Sequence, residues 1–323
     1  MVRIGYFLSC EEFGPRELVR QAVLAEEAGF GALWISDHFH PWNDAQGESP
    51  FVWSVIGALS QATRLPITTA VTCPTTRVHP AIIAQAAATA AVQCEGRFVL
   101  GVGSGEALNE HILGAAWPPA PVRLEMLEEA VEIIRALHTG AEVDHHGRHY
   151  TVENARLYTL PERPVPIYVS AFGPKAVRVA ARIGDGLCSN KPDGDLVAAY
   201  RRQGGAGPVQ GGFKVCHAST EEEGVRAALR MWPSEQLPGE LAQVLPTPRH
   251  FEQASTMVTE QVVAEAVPAG PDPGRYVDHV RKFVGAGFDE LYVQQIGADQ
   301  ERFFEFWQRE VAPRLEEVGA GRV

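Results

Sequence analysis

The segment SDHFHPW, residues 36–42, packs Asp37, His38, His40 and Trp42 into seven positions. An imidazole beside a carboxylate can take up and release a proton near neutral pH, and an indole close by can wall off water. His38 and His40, two apart on an extended segment, could instead share a metal ion. A metal centre needs further His or carboxylate ligands from other strand ends, and His217 is the one other strand-end histidine that stands out. No metal is therefore expected. A second segment, GVGSGEALNE (101–110), begins like a dinucleotide fingerprint but has Glu106 where the third glycine belongs, so that reading fails. Its glycines would let backbone approach a flat ligand closely, with Glu106 pointing inward as an acid. A third, AFGPK (171–175), places Gly173-Pro174 at a helix start, where free N–H groups and the helix dipole favour a phosphate. Glu11 and Glu12 add two carboxyls after the first apolar run. His145, His146 and His149 read as a solvated turn.

These segments share one property: each follows a short apolar run. Strands are expected at 3–9, 32–36, 65–71, 97–103, 165–170, 185–190, 211–219 and 289–297. Amphipathic stretches separate them. One opens with Pro15 and ends at Gly29, the usual punctuation of a helix. Another, 123–138, carries Leu124, Leu127, Val131, Ile134 and Leu137 at helical spacing. Residues 141–158 suggest a hairpin turning near Gly147. Eight parallel strands, each followed by a helix, point to an α/β fold, a (β/α)₈ barrel whose function sits at the carboxyl ends of the strands. The expectation is a single domain over 1–323 with insertions at about 104–122, 140–160 and 204–272. A doubly wound open sheet would normally carry a glycine-rich loop after strand one, where this chain has SCEEFGP.

The chain has 323 residues, 45% of them hydrophobic and 21% charged, with a net charge of −12. That balance fits a globular protein and argues against nucleic acid or anionic membrane as a partner. No run approaches the roughly 20 apolar residues of a membrane span. The start MVRIGYFLSC reads as a first strand and not as a signal peptide. Five scattered cysteines without a CxxC pair suit a reduced, cytoplasmic setting.

SDHFHPW and GSGEALNE together, with EEFGPRELV, TCPTTRVHPAIIAQA, VPIYVSAFGP, IGDG and the tail from FDELYV through APRL, resemble the luciferase-like flavin and deazaflavin oxidoreductases. Within them the chain is most similar to the F420-dependent glucose-6-phosphate dehydrogenase family. The resemblance runs over nearly the whole chain. It implies a (β/α)₈ barrel, a homodimer, coenzyme F420, and hydride transfer between an alcohol or hemiacetal carbon and C5 of the deazaflavin. It makes His38 the base, Glu106 the acid, Trp42 a wall of the substrate site, and Glu11 an acidic residue close to the reacting centre. It puts Asp37, Cys73, Gly105 and Asn109 against the cofactor and a non-proline cis bulge at Ala70-Val71 behind its ring. It places the cofactor phosphate at Phe172 and Gly173, where Phe172 departs from the usual glycine.

A second departure concerns the substrate. The family grips a sugar phosphate with three cations. Lys191 aligns with the first, but Gln253 and His279 stand at the other two, so glucose 6-phosphate is expected to be a poor substrate. An FMN-dependent reductase or monooxygenase keeps the same fold and is the main alternative. A non-catalytic cofactor-binding protein is a remoter one, opposed by the presence of both His38 and Glu106.

Overall fold

The computed structural model of the chain describes residues 2–317. Its strands are β1 (Arg3–Leu8), β2 (Leu33–Ile35), β3 (Ile67–Thr69), β4 (Phe98–Val102), β5 (Val143–His146), β6 (Thr151–Ala155), β7 (Ile167–Ser170), β8 (Gly186–Ser189), β9 (Val209–Val215) and β10 (Glu290–Gln295). All but β5 and β6 close into one parallel barrel, ordered β1-β2-β3-β4-β7-β8-β9-β10 and back to β1. Closure leaves the barrel itself without a free edge and sets aside the open-sheet alternative. β5 and β6 pair with each other as the expected antiparallel hairpin. The strand expected at 211–219 ends at Val215, so the inserted material begins after it.

The strands are apolar on both faces because both are covered. Outward residues such as Ile35, Val169, Val215 and Val293 pack under helices that include Pro15–Glu27, Val52–Ala62, Pro80–Gln93 and Pro273–Gly285. Inward residues form a separate cluster of Ala32, Trp34, Tyr168, Cys188 and Tyr292, topped by the half-buried Phe7, Ala70 and Val71. Trp34 and Tyr292 stack at 4.6 Å and 7°. Their bulk fits because the strands on either side of Tyr292 carry glycine in register with it. A Cβ on Gly212 would lie 2.3 Å from the Trp34 ring, and one on Gly5 would lie 2.5 Å from the Tyr292 ring. Gln210 ties the plates together, accepting from Trp34 Nε1 at 2.8 Å and donating to Tyr292 Oη at 3.1 Å. The lower barrel is therefore a filled plug, and its upper surface is a small apolar floor.

Between β9 and the Pro273–Gly285 helix lie four α-helices (Glu221–Met231, Leu241–Val244, Pro248–Ser255 and Glu260–Ala266), of which the first and last build a satellite core. Cys216, Val225, Met231, Trp232 and Val263 are buried there, and Trp42 leans on them from the other side of the mouth. Thr220 and Thr259 accept hydrogen bonds from Glu223 N and Val262 N, so two of these helices begin at side-chain caps.

Candidate active site

Residues from the carboxyl ends of β1, β2, β3 and β4 converge above the floor. Glu11, three residues beyond β1, is 3% exposed. Its Oε2 accepts from Ser9 Oγ at 2.8 Å and Ser36 Oγ at 2.7 Å, which leaves Oε1 facing His38 Nε2 at 3.4 Å. Glu106 Oε2 lies 3.6 Å from the same nitrogen. Asn109 fixes this side, donating from Nδ2 to Glu106 at 3.2 Å and accepting Phe39 N and His40 N at its Oδ1. His38 Nδ1 sits 3.2 Å from the His40 carbonyl. Asn109 Nδ2, which can only donate, lies 3.1 Å from the same Nδ1, so the two neighbours favour opposite tautomers, and Nε2 is left facing the two carboxyls.

The two carboxyls around Nε2 are pushed apart. Burial raises the Glu11 carboxyl, but His38 and the Ser36 and Ser9 hydroxyls outweigh it and hold the group below its ordinary value. Glu106 goes up, first through burial, with Glu11 and Glu110 adding and His38 opposing. Two acids shifted in opposite directions beside one imidazole are an arrangement suited to handling a proton. Trp42 closes the set, its ring 5.1 Å from that of His38 and edge-on to Phe251 at 5.0 Å.

The same end of the barrel holds a cradle for a flat group. The peptide bond between Ala70 and Val71 is cis, and the Val71 side chain forms part of the floor. Gly103 approaches it so closely that an added Cβ would be 2.8 Å from a Val71 methyl. Gly105 has φ +87°, and a Cβ there would meet Trp117 at 3.0 Å and Cys73 Sγ at 3.6 Å. Gly173 has nothing within 4 Å of where its Cβ would be, and it starts the Pro174–Ile183 helix with Phe172 half exposed beside it. Close backbone approach at the ring position and open space at a helix N-terminus fit a planar cofactor with a phosphate.

Three sequence expectations meet a different setting. Asp37 is tied to the neighbouring loop: its Oδ1 accepts from Arg77 at 2.8 Å and its Oδ2 from Thr72 Oγ1 at 2.8 Å. It is an anchor between the β2 and β3 loops. His279 lies between sheet and helix, 4.7 Å from the Phe213 ring, and burial pushes its pKa down to about 4. Gln253 is exposed on the Pro248–Ser255 helix, two residues from Phe251 and so on the face turned away from Trp42. Lys191 is exposed just past β8. His38 and His40 diverge, since His40 Nδ1 bonds the Leu108 carbonyl at 2.9 Å. Among the described residues no three His, Cys, Asp or Glu side chains gather as a metal-binding group.

Sequence reasoning missed Arg77 and Glu110. Glu110 is fully buried and its Oε2 accepts from the Arg77 and Thr76 amides at 2.6 and 3.2 Å, with Arg77 Nε 3.6 Å from Oε1. Arg77 thus clamps the loops after β2, β3 and β4. It also missed what Glu12 does. That carboxyl is pushed up to about 7 by burial, while Trp232 Nε1, Gln294 Nε2 and Gly297 N donate to it. A charged residue next to a motif was a signal in each case, but its partners lie far away in sequence.

The luciferase-like monooxygenase family profile matches residues 2–290. An F420-dependent glucose-6-phosphate dehydrogenase from Microbacterium testaceum is 36% identical over 97% of this chain and 97% of its own. The structure of an F420-dependent secondary alcohol dehydrogenase in complex with an F420-acetone adduct superimposes with a TM-score of 0.88 at 30% identity. That match covers 97% of this chain and 98% of the other. The coenzyme F420 dependent tetrahydromethanopterin reductase from Methanopyrus kandleri, at 21% identity and a TM-score of 0.77, shares the fold, with 97% and 99% of the two chains covered.

Proposed function

The chain belongs to the luciferase-like monooxygenase family, in the group similar to the F420-dependent glucose-6-phosphate dehydrogenases, and we infer that it is an F420-dependent oxidoreductase acting on an alcohol or sugar carbon. The observation that carries the reading is His38 Nε2 held between Glu11 at 3.4 Å and Glu106 at 3.6 Å, beside a floor formed in part by Val71. When bound, the deazaflavin supplies the hydride chemistry, accepting or giving a hydride at C5. The chain supplies position and protons. Val71, Cys73, Gly105 and Asn109 seat the ring, and Phe172 and Gly173 receive the phosphate at the helix start. Asp37 serves the cofactor through the loop it anchors.

His38 takes the hydroxyl proton of the substrate at Nε2. Ionised Glu11 stabilises the imidazolium that results, much as a buried carboxylate does in other acid–base sets. Glu106 holds a proton at its carboxyl on the cofactor side. Trp42 keeps water from the reacting carbon. Titration of the purified protein with F420 and with FMN, read by fluorescence quenching, tests the cofactor. F420 is expected to bind in the micromolar range or tighter and FMN at least about tenfold more weakly, a difference of about 1.4 kcal/mol. Equal or tighter FMN binding would return the protein to the flavin branch.

We take residues 1–323 as one barrel unit working as a homodimer in a reducing cytoplasm. The helices Val52–Ala62 and Pro80–Gln93 contain no charged residue, and with Phe51 they expose Ile82 and Val92 on neighbouring outer faces. An apolar face of that kind suits a second copy. The five cysteines are free. Among the described residues no helix is long and apolar enough to cross a membrane.

A further inference from the structure

Across the mouth from His38, one cation projects inward from the barrel wall. Lys214 pairs in register with Gln294 of β10. It follows Gly212 by two residues, so it shares the inward face that Gly212 presents to Trp34. Its ammonium lies 5.8 Å from the Phe7 ring, which belongs to the same floor as Val71. The side chain is 9% exposed. A cation in that position would serve an anionic substrate, but its charge is already answered from within. Glu235 Oε1 is bonded to Lys214 Nζ, and the ammonium lies 3.9 Å from the Trp232 ring centroid.

The answer comes as a unit. Trp232 and Glu235 sit three residues apart around the turn Pro233–Gln236, so one short piece of the insertion delivers both the aromatic face and the carboxylate. Glu12 fixes the far side of Trp232 by accepting its indole N–H. Glu12 adjoins Glu11, and Trp42 packs against the cluster that holds Trp232, so the pair flanks the proton-handling set. A phosphate monoester entering here would have to displace Glu235 from Lys214 or lie beside an uncompensated carboxylate. An uncharged hydroxyl compound would do neither.

We propose that the Lys214–Glu235 pair selects against anionic substrates, making Glu235 a specificity-determining residue and an uncharged alcohol the substrate class. This rests on the oxidoreductase reading above. The test compares wild type, Glu235→Gln and the double variant Lys214→Met/Glu235→Gln. The first readout is the ratio of kcat/KM for glucose 6-phosphate to that for 2-propanol with F420 at fixed concentration. The second is calorimetric binding of glucose 6-phosphate to the cofactor-free proteins. Wild type is expected to favour 2-propanol. Glu235→Gln should raise the ratio at least about tenfold, through KM, and tighten binding by a similar factor, since the freed ammonium gains a charge-assisted bond to the phosphate. The double variant should lose both gains, which separates a freed ammonium from a loosened fold. A wild type that prefers glucose 6-phosphate, or a Glu235→Gln variant with ratio and binding within about twofold of wild type, overturns the proposal. If binding tightens as expected but no protein oxidises any alcohol, the charge selection stands and the oxidoreductase reading falls. If 2-propanol is oxidised but neither readout moves, the reverse holds.

Discussion

The two flanks of the mouth are held by different means. On the β1–β4 flank, loops are locked by buried charges: Arg77 pairs with Asp37 at 2.8 Å and approaches Glu110 at 3.6 Å, all three nearly without solvent. On the β9–β10 flank, the insertion is held by its own small apolar core, and its polar links include Glu12 to Trp232, Glu235 to Lys214, and Asn43 and Gln46 to the Met231 carbonyl. The first flank must hold two carboxyls around one nitrogen, because a reaction rate falls off steeply with misplacement of the groups that carry it. The second needs only to present shape and charge. Chemistry and selectivity are thus carried by parts that can vary separately.

The sharpest test of that division is on the first flank. His38→Ala and Glu106→Gln are each expected to lower single-turnover reduction of F420 by roughly 10²–10⁴-fold while leaving F420 affinity within about tenfold. Near-normal rates in both variants would place the chemistry elsewhere. Arg77→Met comes next. It strips two buried carboxylates of their counter-charge and should cost about 3–5 kcal/mol in urea unfolding, because breaking a buried pair leaves an uncompensated charge. A loss under about 1 kcal/mol would show that the loops do not depend on the clamp.

The third probes the joint between the flanks. Burial raises Glu12 from its ordinary 4.5 to about 7, so in that window the folded chain keeps a proton that the unfolded chain has released. Its contribution to stability is full below about pH 4.5 and is lost as pH rises through about 7. Glu12→Gln should flatten the fall in unfolding free energy between about pH 5 and pH 8 by about 2–3 kcal/mol, since a tenfold change in proton affinity is worth about 1.4 kcal/mol. An unchanged slope would mean that Glu12 titrates normally. The smallest effect is expected far from the mouth. Ile82→Glu should shift the sedimentation of the protein from dimer to monomer at micromolar concentration, with a stability change near the surface norm of about 0.5 kcal/mol. A mass that does not change would direct attention to another face.

The flanks also differ in how far their sequence could be read. The barrel was legible because each strand is a short apolar run and each helix has its own punctuation. The cluster of His38, Glu106, Asn109 and Trp42 was legible because its members lie within two short segments. Arg77 was not, since its value comes from carboxylates 40 positions before it and 33 after it. Asp37 looked like a partner of its neighbour His38, yet sequence adjacency sends successive side chains in different directions, and Arg77 claimed it. Beyond β9 the insertion blurs the register. Alignment puts His279 at the mouth, although Tyr276, Val277, Val280 and Phe283 around it already mark a helix face turned to the sheet. Lys214 could be seen as a cation, but nothing local showed that Glu235 would answer its charge.

The plug of stacked rings beneath the floor has a kinetic consequence. With Trp34, Tyr168 and Tyr292 filling the barrel, the site has a single door. Two molecules that share such a site cannot pass one another, so the one seated deeper must enter first and leave last. A ring resting on Val71 would lie below anything that reaches His38 from the mouth. Turnover would then follow a compulsory order, and a tightly held substrate or product would act as a stopper that slows exchange of the cofactor beneath it.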